Sequence, residues 1–494
     1  MSATLPPGAA VSGVATAFAR AASQRPPPAA AAHAATRPQP SERPLLIVGA
    51  LVWTLVVLMI VPEGFDYRQL ATQEAPASGG MISRLLWLSL LGGGFAVVAW
   101  RARLGRRLLG SLNLFLPLFV LLAIASLAWS IDPPLTARRL IRVLTMVAVA
   151  GAFVLAGWHA RRFQNVLRPL LTLMLIGSIG FGLAAPQWAI HQELEGPLVG
   201  AWHGLANHKN GLGNLACIAL LLWCHAALAR EVRLPWAVIG SCVALICLAL
   251  ARSATSMVTA TFTVLFLVLL MRSPRLLQRY MPWVVGLFTA ALLVYSLALL
   301  QVIPGISKLL GPVGMITGKD MSFTGRTDIW DIMSAEISLH PLLGAGYGAY
   351  WAGPVPGTPS YEFVRLLDFY PASAHNGYLE VLNDLGALGL LVLLGFLAVF
   401  ILQCLRLLPL DRAQAALFLA LLLQQAVTNL SESRWLNVQS VDFVIMTLAT
   451  AALARALLDQ RLRRAVAAPP GTQAPTQASV IPLRLTDGDR DATR

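Results

Sequence analysis

Residues 377–402 read GYLEVLNDLGALGLLVLLGFLAVFIL. A helix that crosses a bilayer needs about 20 mainly apolar residues. This run has that length, and its only charged side chains, Glu380 and Asp384, lie near its start. Working outward, further runs of the same kind occupy 45–61, 82–100, 109–129, 140–157, 167–185, 210–229, 235–251, 255–271, 281–303, 412–429 and 438–458. The expected fold is all-α, a polytopic membrane bundle of about twelve transmembrane helices.

Composition agrees. Of 494 residues, 57% are hydrophobic and 12% charged, with a mean hydropathy of +0.68. A soluble globular protein is about 25% charged. The formal charge of +14 raises the question of nucleic acid. The Arg residues sit in short clusters between apolar runs, which is the pattern of cytoplasmic membrane loops, so a nucleic-acid partner is excluded. Cys217, Cys224, Cys242, Cys247 and Cys404 lie in or beside apolar runs without a CxxC pair. They read as small core residues, with neither a disulfide framework nor a metal site expected.

Residues 1–43 are rich in Ala, Pro, Ser and Arg, and no apolar segment begins before Leu45. They are expected to be a disordered cytoplasmic tail without a secretory signal, with a transit peptide over the first 25 residues as the alternative. Residues 461–494 read as a second such tail. The remaining divisions are nine spans in 44–303, a large loop in 304–376 and three spans in 377–460.

Orientation follows from the basic loops. With the N-terminus in the cytoplasm, the inner loops carry Arg101, Arg103, Arg106 and Arg107, then Arg161, Arg162 and Arg168. Arg230 and Arg233, Arg272, Arg275 and Arg279, and Arg406 and Arg412 follow, and the C-terminal tail opens with Arg461, Arg463 and Arg464. Every inner loop is then basic, both termini are inside, and 304–376 faces the periplasm. A loop of that length without a role is uncommon, so function is expected there. Within it, 326–339 (RTDIWDIMSAEISL) places Ile329, Trp330, Met333 and Ile337 on one helical face. The helix is expected either to lie on the membrane surface or to pack on top of the bundle. Gly344, Gly346 and Gly348 then exclude a regular helix and permit tight turns and close backbone approach.

Several polar residues fall on the outer side. Arg252 ends a span, either to bind an anionic substrate or to reach lipid headgroups. Arg138, Arg139 and Arg142 open another, with the same two readings. His208, Lys209 and Asn210 open the sixth span and are placed to contact a polar ligand. His375 and Asn376 precede the tenth, where the positive end of the helix dipole disfavours an imidazolium. A neutral His375 can act as general base, or it can be structural; Glu380 and Asp384 follow at one-turn intervals.

The stretches GRTDIW (325–330), HPLLGAGYGAYW (340–351) and HNGYLEVLNDLGALG (375–389) together resemble the signature of the O-antigen ligase and polysaccharide polymerase superfamily. HKNGLG (208–213) resembles the exopolysaccharide polymerase branch, and LARSATS (250–256) is similar to an Arg- and Ser-containing segment of the family, with the order of Arg and Ser reversed. The resemblance implies a bacterial inner-membrane glycosyltransferase that moves a glycan from an undecaprenyl-diphosphate carrier to a sugar hydroxyl. It implies no cofactor, no nucleotide sugar and no metal. Polymerases use another carrier-linked repeat unit as acceptor; ligases use lipid A–core. The resemblance also implies His375 as the base, with Arg326 and Arg252 stabilising the diphosphate and Lys209 assisting. His208, Asn210, Asn376, Glu380 and Tyr347 are the remaining expected substrate contacts. Partners are then the carrier-linked glycan and the bilayer, with chain-length regulators or export proteins as further candidates. The competing readings are an O-antigen ligase and a secondary transporter; against the latter, no internal repeat is evident and the charges cluster near span ends.

Overall fold

The computed structural model describes residues 46–61, 81–156, 162–193, 198–273, 280, 283, 286–287 and 326–467. The expected N-terminal tail, residues 468–494 of the expected C-terminal tail, most of the ninth span and residues 304–325 of the long loop lie outside these residues, whereas 461–467 continue the last helix and are not the start of a disordered tail.

The described chain is helical. Its helices are α1 (Leu46–Ile60), α2 (Met81–Trp100), α3 (Ala102–Leu109), α4 (Phe115–Ala125), α5 (Pro133–Leu155), α6 (Arg162–Ala184), α7 (Pro186–Ala189) and α8 (Lys209–Leu228). They continue with α9 (Leu234–Leu250), α10 (Ala254–Arg272), α11 (Arg326–Leu339), α12 (Glu362–Leu367), α13 (Gly377–Leu407), α14 (Arg412–Thr428) and α15 (Val441–Ala467). Apart from 281–303, each expected span overlaps one of these helices, with bounds that differ by up to about nine residues, at the end of the last span (458 against Ala467). Among the described residues, six helices are long and apolar enough to cross a membrane. The protein is a polytopic helical membrane protein.

Helix starts follow local chemistry. The Asp132 side chain accepts from the Leu135 N–H at 2.9 Å with Pro133 in the first turn, so α5 begins before its apolar stretch. Asp411 caps α14 in the same way, accepting from Gln414 N–H at 3.1 Å. The bundle is organised around α14, in which every residue from Gln414 to Ala426 is buried. Such a helix belongs inside a bundle, and α14 packs against α8, α10, α13 and α15. At the periphery the logic inverts: Leu85, Leu88 and Phe95 of α2 and Trp236, Val238 and Ile239 of α9 are exposed. So much exposed apolar surface suits hydrocarbon and not water.

Two features position the site. First, α13 is broken at Gly386, whose φ of +63° and ψ of −164° are outside the helical region. The glycine-rich segment fills the break. Ala387 N–H donates to Pro341 O at 2.9 Å, Ala345 N–H to Asn383 O at 2.9 Å, and Gly346 N–H to Asp384 O at 3.0 Å. Backbone groups freed by the break are thus satisfied inside the protein, as a membrane setting demands. Gly346 lies against Ser130 and Gly348 against Arg139, with φ of +102° and +64°, so the close approach these glycines permit is to the chain itself.

Second, α11 packs on top of the bundle. Ile329 and Met333 are buried with Tyr350, Trp351, Phe363 and Leu379. The Trp330 indole donates to Ala374 O at 2.9 Å, tying α11 to the residue before His375.

Candidate functional site

At one end of the bundle, several chain segments converge on the Glu432 carboxylate. Asn210, in the first turn of α8, donates from Nδ2 to Glu432 Oε1 at 2.7 Å. Arg326, the first residue of α11, places Nη2 at 3.6 Å from Oε1. His375, just before α13, places Nδ1 at 3.9 Å from Oε2, and Arg434 places Nη2 at 3.8 Å from Oε2. The four side chains of this ion-pair cluster are partly buried, between 13% and 29% exposed, so charge is screened less here than on an open surface.

Local structure fixes each member. His208 caps α8, its Nδ1 accepting from Asn210 N–H at 3.2 Å. Ser253 donates to Asn210 Oδ1 at 3.0 Å, which leaves the amide nitrogen of Asn210 directed at Glu432. The turn carrying Glu432 and Arg434 is wound around Asn429, whose Oδ1 accepts from the N–H groups of Arg434 and Trp435 at 2.9 and 2.7 Å. Gly377 N–H donates to Asn429 O at 2.9 Å, and a Cβ on Gly377 would meet Asn429 Oδ1 at 1.9 Å, so this turn and the start of α13 are locked together. Arg434 is held from below by Asp442, with Nη1 to Oδ2 at 3.1 Å. Asp442 is fully buried and accepts two bonds from Asn214 Nδ2 at 2.9 Å and one from Ser440 at 2.9 Å. These bonds satisfy the oxygens of a carboxyl group taken out of water, and so brace it to hold the Arg434 guanidinium in place.

Histidines enclose the cluster. The ring of His191 meets those of His203 and His208 edge-on, at 5.0 and 5.2 Å between centroids. Burial lowers the pKa of all three, that of His208 to about 4, so the imidazoles are neutral near pH 7. Burial also lowers that of His375, opposed by Glu432 and reinforced by Arg326 and Arg434. His375 has a φ of +50°, a left-handed conformation uncommon outside glycine and a form of strain that clusters at functional sites.

The expected site residues divide. His375, Arg326 and Asn210 meet at Glu432, with His208 adjoining through its cap and Lys209 close enough for its charge to bear on His191 and His208. The others are placed elsewhere. The Asn376 side chain caps α13, accepting from Tyr378 and Leu379 N–H at 3.0 and 3.2 Å. Glu380 accepts from the Trp351 indole at 2.6 Å and from Ala374 N–H at 2.8 Å, bracing the His375 loop from within. Tyr347 is buried and donates to Leu436 O. Arg252 is exposed and donates to Val199 O at 3.0 Å, while its neighbour Ser253 faces the cluster. Of the arginines opening α5, Arg139 donates to Trp351 O at 3.0 Å and Arg142 lies 5.2 Å over the Trp87 ring. Glu432, Arg434, Ser253 and His191 complete the cluster without having been singled out from the sequence. Among the described residues, no group of three or more His, Cys, Asp or Glu side chains is placed to hold a metal ion.

Chemically, two guanidiniums facing one carboxylate-sized volume suit phosphate oxygens, and a neutral imidazole beside them suits proton removal. A profile of the O-Antigen ligase family matches residues 239–394. The exopolysaccharide production protein ExoQ of Rhizobium meliloti (strain 1021) is 30% identical over 346 residues, covering 66% of this chain and 72% of that protein.

Proposed function

Since the chain belongs to the O-antigen ligase-like family of bacterial membrane proteins, in its exopolysaccharide branch, we propose that it polymerises undecaprenyl-diphosphate-linked repeat units into exopolysaccharide or O-antigen at the periplasmic face of the inner membrane. The observation that carries this reading is the convergence of Arg326, Arg434 and His375 at one end of the bundle.

In this mechanism the acceptor hydroxyl gives its proton to His375 as its oxygen attacks the anomeric carbon. The bond from that carbon to the phosphate oxygen breaks, and the electron pair leaves with the lipid diphosphate. A single displacement inverts the anomeric centre. Arg326 and Arg434 lie on separate elements, α11 and the α14–α15 turn, and so clasp the leaving group from two sides. Fixed cations aimed at developing negative charge lower such a barrier by several kcal/mol. Lys209 adds a further positive charge at the start of α8. The reaction needs no metal.

The periplasmic assignment draws on the two ends of the bundle. The site gathers the start of α8, the α9–α10 turn and the α14–α15 turn. The opposite ends of α8 and α14, with the start of α6, carry a different network in which Arg168 pairs with Glu231 at 3.0 Å and the His225 ring donates from Nε2 to Ala413 O at 3.0 Å. The basic loops belong to that second end, a pattern typical of a cytoplasmic face, and this supports reading the site as periplasmic.

A ligase that transfers finished glycan to lipid A–core would use the same diphosphate chemistry, and acceptor identity separates the two. The test is polymer analysis in a deletion strain complemented with wild type or His375→Ala. Single repeat units left on the carrier in the deletion strain, with long chains restored by wild type alone, support the polymerase. Long chains that persist on the carrier but fail to reach lipid A identify a ligase. Unchanged length and attachment refute glycan transfer.

A further inference from the structure

We infer that Glu432 is a positioning residue for His375, its carboxylate holding the imidazole with Nδ1–H toward Oε2 so that Nε2 is left to take the acceptor proton. This rests on the transfer reaction proposed above.

The geometry supports it on three counts. His375 Nδ1 is buried and makes no hydrogen bond among the described residues. The carboxylate oxygen facing it is Glu432 Oε2, at 3.9 Å. That separation exceeds a hydrogen bond, but catalytic hydrogen bonds are often long before substrate arrives and tighten once it is bound. In addition, Glu432 cannot readily swing away. Its other oxygen is bound by Asn210 at 2.7 Å, and Asn210 is itself fixed by Ser253 and by its place in the first turn of α8. The carboxylate is therefore presented to the imidazole by elements outside the His375 loop.

Charge supplies the need. His375 is faced by Arg326 from α11, by Arg434 and Glu432 from the α14–α15 turn, and by His208 from the start of α8. The two guanidiniums suit the diphosphate but oppose an imidazolium. Glu432 alone of these groups favours one. As the proton passes from the acceptor oxygen to Nε2, positive charge forms on the ring, and Glu432 balances it through Nδ1–H until the proton is lost to water. A carboxylate that orients a histidine in this way also selects its tautomer.

The test is a pH profile of initial rate for purified protein in liposomes, with lipid-linked glycan extracted from a deletion strain as substrate. Glu432→Gln is expected to lower the plateau about 10- to 1,000-fold and to move the acidic limb to lower pH, because the group that favours the imidazolium has lost its charge. Glu432→Asp keeps the charge but withdraws it by one methylene, so its plateau and limb should fall between the two. A Glu432→Gln plateau within about twofold of wild type, or a lowered plateau with an unmoved limb, overturns the pairing. If Glu432→Gln does not fold, the Asp variant decides: a full plateau with an unmoved limb overturns it. Wild type that fails to extend the glycan at any pH refutes the transfer reaction, and the pairing with it.

Discussion

Gly386→Ala should be among the most damaging single-methyl additions in this protein. Gly386 sits at φ +63° and ψ −164°, a region essentially reserved for glycine. An alanine there carries about 1–3 kcal/mol of backbone strain. Its Cβ would also fall 2.3 Å from the carbonyl carbon and oxygen of Leu342 and 2.4 Å from Leu343 N. These are backbone atoms and cannot rotate aside. Overpacking of that kind costs about 1–3 kcal/mol more, for a total of about 2–6 kcal/mol. Relief would require the 341–346 segment to leave the helix break, stranding the groups of Asn383 and Asp384 that it now satisfies. Gly180→Ala is the control. That glycine lies within α6 with nothing within 4 Å of the new methyl, so the change should be neutral or stabilising by about 0.5–1 kcal/mol. Thermal unfolding of the detergent-purified variants measures both. A Gly386→Ala protein that melts with wild type would refute the broken helix and the segment seated in it.

The same structure yields further expectations. Asp442→Leu should destabilise by about 3–5 kcal/mol, because it leaves Arg434 partly buried without its anchor, and adding Arg434→Met should recover much of the loss in denaturation measurements. At the opposite end, Arg168→Ala strands Glu231, whose side chain is 6% exposed, and a loss of similar size, about 3–5 kcal/mol, should appear in the same assay. Arg326→Lys should cut polymer output about tenfold or more, because an ammonium cannot reproduce the two-pronged contact of guanidinium with phosphate; undiminished output would argue against that geometry. Because burial sets the His375 pKa below the ordinary 6.5, the base should stay neutral and active at pH 6.5 and lose activity only as pH falls through its lower value. An acidic limb above pH 7 in a rate profile would contradict this.

The bundle was legible because apolar runs and basic loops record the membrane directly. Individual start points were less so. The span expected at 140–157 begins at Pro133, since the Asp132 cap and the inward contacts of Arg139 and Arg142 carry the helix past its apolar stretch. The break in α13 hides in LGALG, where glycine is a weak signal without the partner segment that fills the gap. In the site, His375 stood out as a polar residue at a span start, and Arg326 through the resemblance carried by GRTDIW. Glu432 and Arg434 did not, although both lie in the short turn LSESRWLN (430–437), which the basic-loop pattern assigns to the outer side, where Arg is uncommon. Their meaning comes from contacts such as Asn210 to Glu432, between residues 222 apart in sequence, which no local pattern encodes. Arg252 and Ser253 illustrate the same limit. Arg252 takes a left-handed φ of +49°, and the turn sends it outward and its neighbour inward, a distinction invisible in the string of residues.

The most direct test of glycan transfer is to incubate the purified protein, in liposomes, with undecaprenyl-diphosphate-linked repeat units and to measure chain length and released lipid diphosphate together. The account predicts longer carrier-linked glycan, with one lipid diphosphate freed for each linkage formed, and neither product with His375→Ala. Lipid diphosphate release without chain growth, or chain growth undiminished in His375→Ala, would contradict it.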